Sequence, residues 1–408
     1  MQKRGALPST ISPVLEARHY ASGLNSHFHG GQLPFTDYVA LNRDMIRKVR
    51  SASSTGNTDL ATLDKVIDGN APFSLPPSGD GIAGKEKKYR RGILLTHGLT
   101  DSPYIMRHLA VFFQSQGFRV MAVLLPGHGT RPGDLLDATW QAWAKAVSYG
   151  TDKLAEEVDE LYLGGYSAGG ALSLYQSLHD KRVRALFLIA PALEVTHRAM
   201  FASWHKSLSW LFPRMKWLEI KPDHDHYKYE SFAKNTATQM YRLTRALSTQ
   251  LNQHQLTIPI FTVASEDDKT VNIAATIELM EKQTNPANKF ILYTADSVKL
   301  SQTPLQGKIE WVNSMLPEQK ILSSAHTAIL VSPDDEYYGV HGEYANCIHY
   351  YPGEMDKYTA CTLHAEACWL GEINDKNLKA GVLRRLMYNP NFESLKLSLQ
   401  QFIEKLPQ

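Results

Sequence analysis

The chain has 408 residues, 43% hydrophobic and 21% charged, which excludes a disordered tail and a fibre. Lys and Arg number 43 against 41 Asp and Glu, a net charge of +2. That balance removes any whole-chain argument for nucleic acid binding and leaves only a local patch open. Three cysteines, Cys347, Cys361 and Cys368, cannot build a disulfide framework, and a core of this size needs none.

In chain order, the opening MQKRGALPSTISPVLEARHY is basic but lacks the apolar stretch of a secretory signal. Nothing downstream approaches the ~18 uninterrupted apolar residues of a membrane span. The expected compartment is therefore the cytoplasm. Residues 1–87 read as an N-terminal extension with a helix over 36–49, a Pro/Gly/Ser loop at 74–84 and an antiparallel start to a sheet. Strands are expected at 92–97, 119–125, 161–166, 185–190, 260–264 and 289–293. Several are apolar almost throughout, as parallel strands covered on both faces read. Helical periodicity fills 102–117 and 140–157. Strand, helix, strand in this order predicts an α/β fold, a mostly parallel sheet with right-handed crossovers. No repeat of 20–50 residues interrupts it. The core should occupy 88–194 and 257–408, the latter with a C-terminal extension. The intervening 195–256, with Trp204, Trp210 and Trp217, reads as a cap. Its aromatic residues either pack onto the sheet or line an acyl pocket.

The chemistry starts at Gly165-Tyr166-Ser167-Ala168-Gly169, between an apolar strand and a helical run. A G-x-S-x-G in that context is a nucleophile elbow. The turn pushes the serine Oγ out of the sheet, and a side chain two positions either way would collide with backbone. A serine hydroxyl is a weak nucleophile and needs a base, an orienting acid and an oxyanion hole. On this architecture the order is Ser, acid, His. The strand at 260–264 runs into Glu266-Asp267-Asp268, where carboxylates sit at the ligand-binding edge of such a sheet. Asp268 is the first choice and Asp267 the second. His326 is the first histidine beyond Asp268, in the small-residue loop SSAHTAI; His341, His349 and His364 are its rivals. The oxyanion donors would be the amides of Ala168 and of Leu99 in His97-Gly98-Leu99-Thr100-Asp101-Ser102-Pro103. The same loop reads as a capped helix start.

These pieces together resemble the α/β-hydrolase superfamily, in its monoacylglycerol lipase, lysophospholipase and bacterial carboxylesterase branch, which also houses serine aminopeptidases. The matching segments are HGLTDSP at 97–103, LLPGHGTRPGDL at 124–135, GGYSAGG at 164–170, ASEDDKTV at 264–271 and SSAHTAI at 323–329. The resemblance carries the nucleophile onto Ser167, the base onto His326 and the acid onto Asp268, with Ser265 where the family commonly has glycine. It implies a mobile helical cap over 195–256. His97, Gly98, Tyr166, Trp204 and Trp210 are the expected substrate-binding residues.

The implied function is a serine hydrolase acting on carboxylic esters of acyl or lipid type through an acyl-enzyme, with no cofactor and no metal. The substrate partner is a small-molecule or lipid ester, nucleic acid is not expected, and a peripheral membrane contact through the cap is open to it. Oligomeric state has no signature in the sequence. Two other functions stay open: a serine aminopeptidase or amidase, anchoring an amine on Glu219, Asp223, Asp225 or Glu230, and a binding protein that keeps the fold without chemistry. His224, Asp225 and His226 look ligand-like but lack zinc spacing, so a polar cap surface is expected. The Cys/His cluster near the C-terminus matches no common zinc pattern either. It reads as buried cysteines, with a Cys347–Cys361 disulfide only in an oxidising compartment.

Overall fold

The computed structural model describes residues 14–53, 60–78, 88–194, 213–296 and 309–406. Eight strands form one sheet: β1 (Phe73–Leu75), β2 (Tyr89–Thr96), β3 (Phe118–Val123), β4 (Val158–Tyr166), β5 (Val183–Ile189), β8 (Ile260–Ser265), β9 (Lys289–Thr294) and β10 (Ile309–Asn313). Their spatial order is β1-β3-β2-β4-β5-β8-β9-β10. All neighbours pair parallel except β1, which runs antiparallel to β3. Along β2, Leu94 enters one core and Ile93 and Leu95 the other. A strand buried on both faces therefore shows a continuous apolar run although its side chains still alternate.

Helices α4 (Trp140–Glu157) and α5 (Ala168–His179) cover the first face, and α6 (Lys234–Gln253) packs on them; Trp143, Leu172 and Leu243 fill this side. Helices α3 (Arg107–Ser115) and α9 (Phe392–Glu404) cover the second, through Phe113, Leu399 and Phe402. Thr139 starts α4 by accepting the Ala142 amide on its hydroxyl, a standard N-cap. The 102–117 helix begins with a 3-10 turn at Pro103–Met106 before α3, with Pro103 at the first position, where no intrahelical amide bond is lost.

Strand β3 lies on one side of β2 and β4 on the other, so the order reverses between β2 and β4. The crevice beyond the carboxyl ends at such a switch point is where ligands bind. The elbow follows β4 and the HGL loop follows β2, which puts both at that point.

The N-terminal extension, with α1 (Phe35–Ser53) and α2 (Leu60–Asn70), wraps the loop after β3. Ser22 bonds Asp134, Asn25 bonds the His128 carbonyl, and Tyr38 Oη donates to the Leu124 carbonyl at 3.0 Å. The described part of the 195–256 insertion departs from a cap. Two short antiparallel strands, β6 (Trp217–Glu219) and β7 (Phe232–Ala233), lead into α6. Trp217, Met240, Leu243 and Leu247 are buried in the main core. The cap boundary at 256 is thus corrected: α6 is a core layer, because its apolar face needs the sheet's helices to cover it.

Helix α7 (Ile273–Lys282) makes the crossover between β8 and β9. Past β10 the chain forms a C-terminal extension. It contains α8 (Met355–Leu363) and the parallel pair β11 (Trp369–Gly371) and β12 (Leu383–Arg385). Cys347 and Cys361 form a disulfide, and Cys368 is free and buried. Among the described residues no helix is long and apolar enough to cross a membrane, and no cluster of three metal-ligating side chains occurs.

Candidate active site

Ser167 sits at φ 54°, ψ −115°, a strained conformation for a residue with a side chain. The glycines around it have no alternative. A Cβ on Gly165 would lie 2.2 Å from the Gly169 carbonyl oxygen, and one on Gly169 would lie 2.1 Å from that of Thr96. The elbow is locked by Ser167 N–H donating to Ile189 O, and by Ala192 N–H donating to Ser167 O.

His326 opens a 3-10 turn, His326–Ala328. Its Nε2 lies 3.0 Å from Ser167 Oγ and its Nδ1 2.6 Å from Asp268 Oδ2. All three residues are buried. The other Asp268 oxygen accepts the amides of Thr270 and Val271 at 2.7 and 3.1 Å. Burial pushes the Asp268 carboxyl up, but His326 and the two amides together hold it below the usual carboxylate range. The neighbouring acids point elsewhere. Glu266 accepts Thr294 Oγ1, and burial raises the Asp267 carboxyl. Ser265, in place of the family's glycine, accepts the Asp267 amide on its Oγ and reaches the Ser324 carbonyl at 3.4 Å. It thereby ties the acid turn to the histidine loop.

The HGL loop shows how an amide can be aimed. The Gly98 carbonyl accepts the Asp101 amide and lies 2.8 Å from His97 Nδ1. His97 Nε2 accepts the Leu125 amide at 3.1 Å, so Nδ1 carries the proton and donates. Burial pushes the His97 pKa well below its ordinary value and keeps the ring neutral. A trans peptide points its N–H opposite its C=O. Pinning the Gly98 carbonyl therefore fixes the direction of the Leu99 N–H. Ala168 is the first residue of α5, whose amide has no partner within the helix.

Three of the expected substrate-binding residues sit in the scaffold of the site. His97 is fully buried with both ring nitrogens bonded inside the protein, so it shapes the loop and does not line a substrate pocket. Tyr166 is buried and donates its hydroxyl to the His326 carbonyl at 3.1 Å; it too is spent on the scaffold. Gly98 is where a Cβ would meet Asp101 Oδ2 at 2.5 Å and Tyr166 at 2.9 Å, which makes it a packing requirement. Trp204 and Trp210 lie outside the described residues.

The polar patch at 221–230 is also corrected, since Asp225 is buried rather than on a polar surface. It accepts the Tyr227 and Lys228 amides and both oxygens lie within 2.9 Å of Tyr338 Oη. Burial raises its pKa to about 7, partly offset by those bonds. The folded state then holds a proton that the unfolded chain releases near pH 4. Stability from this group is present at low pH and is lost as pH rises from about 4 through about 7, on the order of 3–4 kcal/mol in all. Thermal melts of Asp225→Asn and wild type across that range should converge at the acid end and diverge at the neutral end, with the asparagine variant gaining. Parallel curves would sink this assignment.

The family described as serine aminopeptidase, S33, matches residues 87–295, slightly over half of the chain. A thermostable monoacylglycerol lipase of Bacillus sp. (strain H-257) is 27% identical over 194 residues, spanning 47% of this chain and 77% of that protein. Among solved structures, the metagenome-derived lipolytic enzymes LipS and LipT give a TM-score of 0.46 at 21% identity, covering 55% of this chain and 87% of theirs. A monoacylglycerol lipase of Paleococcus ferrophilus gives 0.42 at 15% identity, covering 55% and 88%. The family match runs from the start of β2 to the end of β9, across the loop after β2, the elbow and the acid turn. On that extent the chain belongs to the serine aminopeptidase S33 family of α/β hydrolases.

Proposed function

We propose that the protein is a carboxylic ester hydrolase acting on acyl or lipid-type esters, with Ser167 as nucleophile, His326 as base and Asp268 as orienting acid. The observation that carries this reading is the unbroken relay of 3.0 and 2.6 Å from hydroxyl through imidazole to carboxylate. His326 Nε2 takes the Ser167 proton as Oγ attacks the ester carbonyl. Asp268 holds the Nδ1–H and stabilises the imidazolium. The amides of Leu99 and Ala168 hold the oxyanion, each donor typically worth about 3 kcal/mol of barrier. His326 then gives its proton to the leaving alcohol, and water, deprotonated by the same ring, releases the acid from the acyl-enzyme. This chemistry runs on the chain's own residues.

The related monoacylglycerol lipase supports an ester substrate. Of the four acids that an aminopeptidase could offer to an amine, Glu219 is exposed on β6 and the other three are otherwise engaged. Asp223 accepts the Ser231 hydroxyl and amide, Asp225 accepts Tyr338, and Glu230 accepts Tyr344. The Cys347–Cys361 disulfide supports an oxidising compartment in place of the cytoplasm expected from sequence. A panel of p-nitrophenyl esters of short, medium and long acyl chains, set against amino-acid amides, tests the substrate class. Esters should turn over faster; faster amide turnover would overturn the assignment.

A further inference from the structure

The C-terminal extension lies beyond the family match, yet it holds the histidine loop on both flanks. Leu322 donates to the Leu370 carbonyl and Leu370 to that of Lys320, extending β11 along the loop. On the far flank Thr327 Oγ1 donates to the Leu386 carbonyl and Asn389 Nδ2 to that of Ile329. Between these contacts sits an ion pair of a buried carboxylate with an arginine that is 20% exposed. Glu372 is 1% exposed and Arg385 Nη2 lies 2.9 Å from its Oε1.

The pair touches both sides of the candidate site. The His326 amide donates to Glu372 Oε2 at 3.0 Å. Arg385 Nη2 donates to the same oxygen at 3.0 Å and to Thr270 Oγ1 at 2.7 Å. Thr270 in turn donates its amide to Asp268. A closed circuit thus runs from the His326 main chain through Glu372, Arg385, Thr270 and Asp268 back to the His326 ring. Tyr166 holds the opposite side of the His326 backbone through its carbonyl. The disulfide-bearing segment supports the arginine, since the Arg385 amide donates to the Asn346 carbonyl and Arg384 to that of Cys361.

Burying a glutamate against a backbone amide is costly unless it is paired and bonded. Here the side chains of the pair, apart from each other and the adjoining Ile373 amide, bond the base loop and the acid turn. We propose that Glu372 and Arg385 are positioning residues that fix the distance and angle between His326 and Asp268. The proposal rests on the reading of Ser167, His326 and Asp268 as the reacting residues. The charged and titratable groups facing His326 are Asp268 on its ring, Tyr166 on its carbonyl, Glu372 and Arg385 from the extension, and the Asp101–Lys228 pair beyond Tyr166.

The test combines fluorophosphonate labelling of wild type and Ser167→Ala with ester kinetics of Glu372→Gln, Arg385→Met, Arg385→Lys and the Glu372→Gln/Arg385→Met double variant. Glu372→Gln and Arg385→Met should each lower kcat by about 10–100-fold with KM unchanged, as small misplacements of a catalytic group do. The acid limb of the kcat profile should move in opposite directions. An unpaired Glu372 favours the imidazolium and moves the limb up; an unpaired Arg385 moves it down. Arg385→Lys should keep the wild-type limb. A merely structural pair would lower the melting temperature while leaving kcat within threefold or moving both limbs together, and either result overturns the proposal. If a single variant does not fold, the double variant decides, because it leaves no unpaired buried charge. A kcat within threefold of wild type then overturns the proposal, and a larger loss at unchanged KM upholds it. Wild type that resists the fluorophosphonate defeats the catalytic reading and this proposal with it. Labelled wild type with unaffected variants defeats this proposal alone.

Discussion

Ser167→Ala should remain folded and lose ester turnover by about 10⁵–10⁶-fold, the scale seen when a nucleophile that acts as part of a unit is removed. The fold survives because the elbow is held by backbone bonds, Ser167 N–H to Ile189 O and Ala192 N–H to Ser167 O, and alanine keeps both. The glycines that allow the turn are untouched. What disappears is the oxygen 3.0 Å from His326 Nε2. The remaining rate, about 10³–10⁴ above water, belongs to the oxyanion donors and to substrate binding. Fluorophosphonate labelling should vanish in parallel. Retention of more than a few per cent of wild-type kcat in a folded, melt-verified sample would mean that another residue is the nucleophile.

The elbow is the most legible part of the site, because its requirements are steric and local. Glycines at 165 and 169 are needed wherever a strand turns into a helix this tightly, and the clash distances of 2.2 and 2.1 Å restate in space what the spacing already says. The sheet is legible for the same kind of reason: strands covered on both faces are apolar throughout. The acid is less so. Three consecutive carboxylates carry one composition, and only the turn that gives Asp268 two amides separates them. His97 and Tyr166 read as substrate residues because sequence places a residue near a site without saying which way its ring faces. Both turn inward, where their polar atoms hold the loop after β2 and the histidine loop. Asp225 misleads for a related reason: a run of Asp, His, Lys and Glu has the composition of a solvated surface. Its burial depends on Tyr338, which is distant in sequence. Glu372 and Arg385 have no signal at all. Neither sits in a motif, and their meeting with the histidine loop depends on β11 pairing beside it.

Asp268→Asn should lower kcat by about 10⁴-fold with little change in KM, and hydrogen bonding gives the reason. In the wild type, Oδ1 accepts the Thr270 and Val271 amides while Oδ2 faces His326 Nδ1 at 2.6 Å. An asparagine must turn its carbonyl oxygen to the two amides, since its NH₂ cannot accept them. The NH₂ then faces Nδ1 and forces that nitrogen to accept. The imidazole proton moves to Nε2, which can no longer take the Ser167 proton; a wrong tautomer of this kind costs about 10⁴ in kcat elsewhere. The geometry barely changes, so melting at neutral pH should fall modestly. The stability difference should shrink in acid. The wild-type carboxyl is held below its ordinary range, so its contribution is full above about pH 4 and fades as pH drops through the folded value. Steady-state kinetics paired with melts at about pH 7 and about pH 3 separate the two effects. A kcat loss under about tenfold would remove Asp268 from the relay and return the choice to the neighbouring carboxylates.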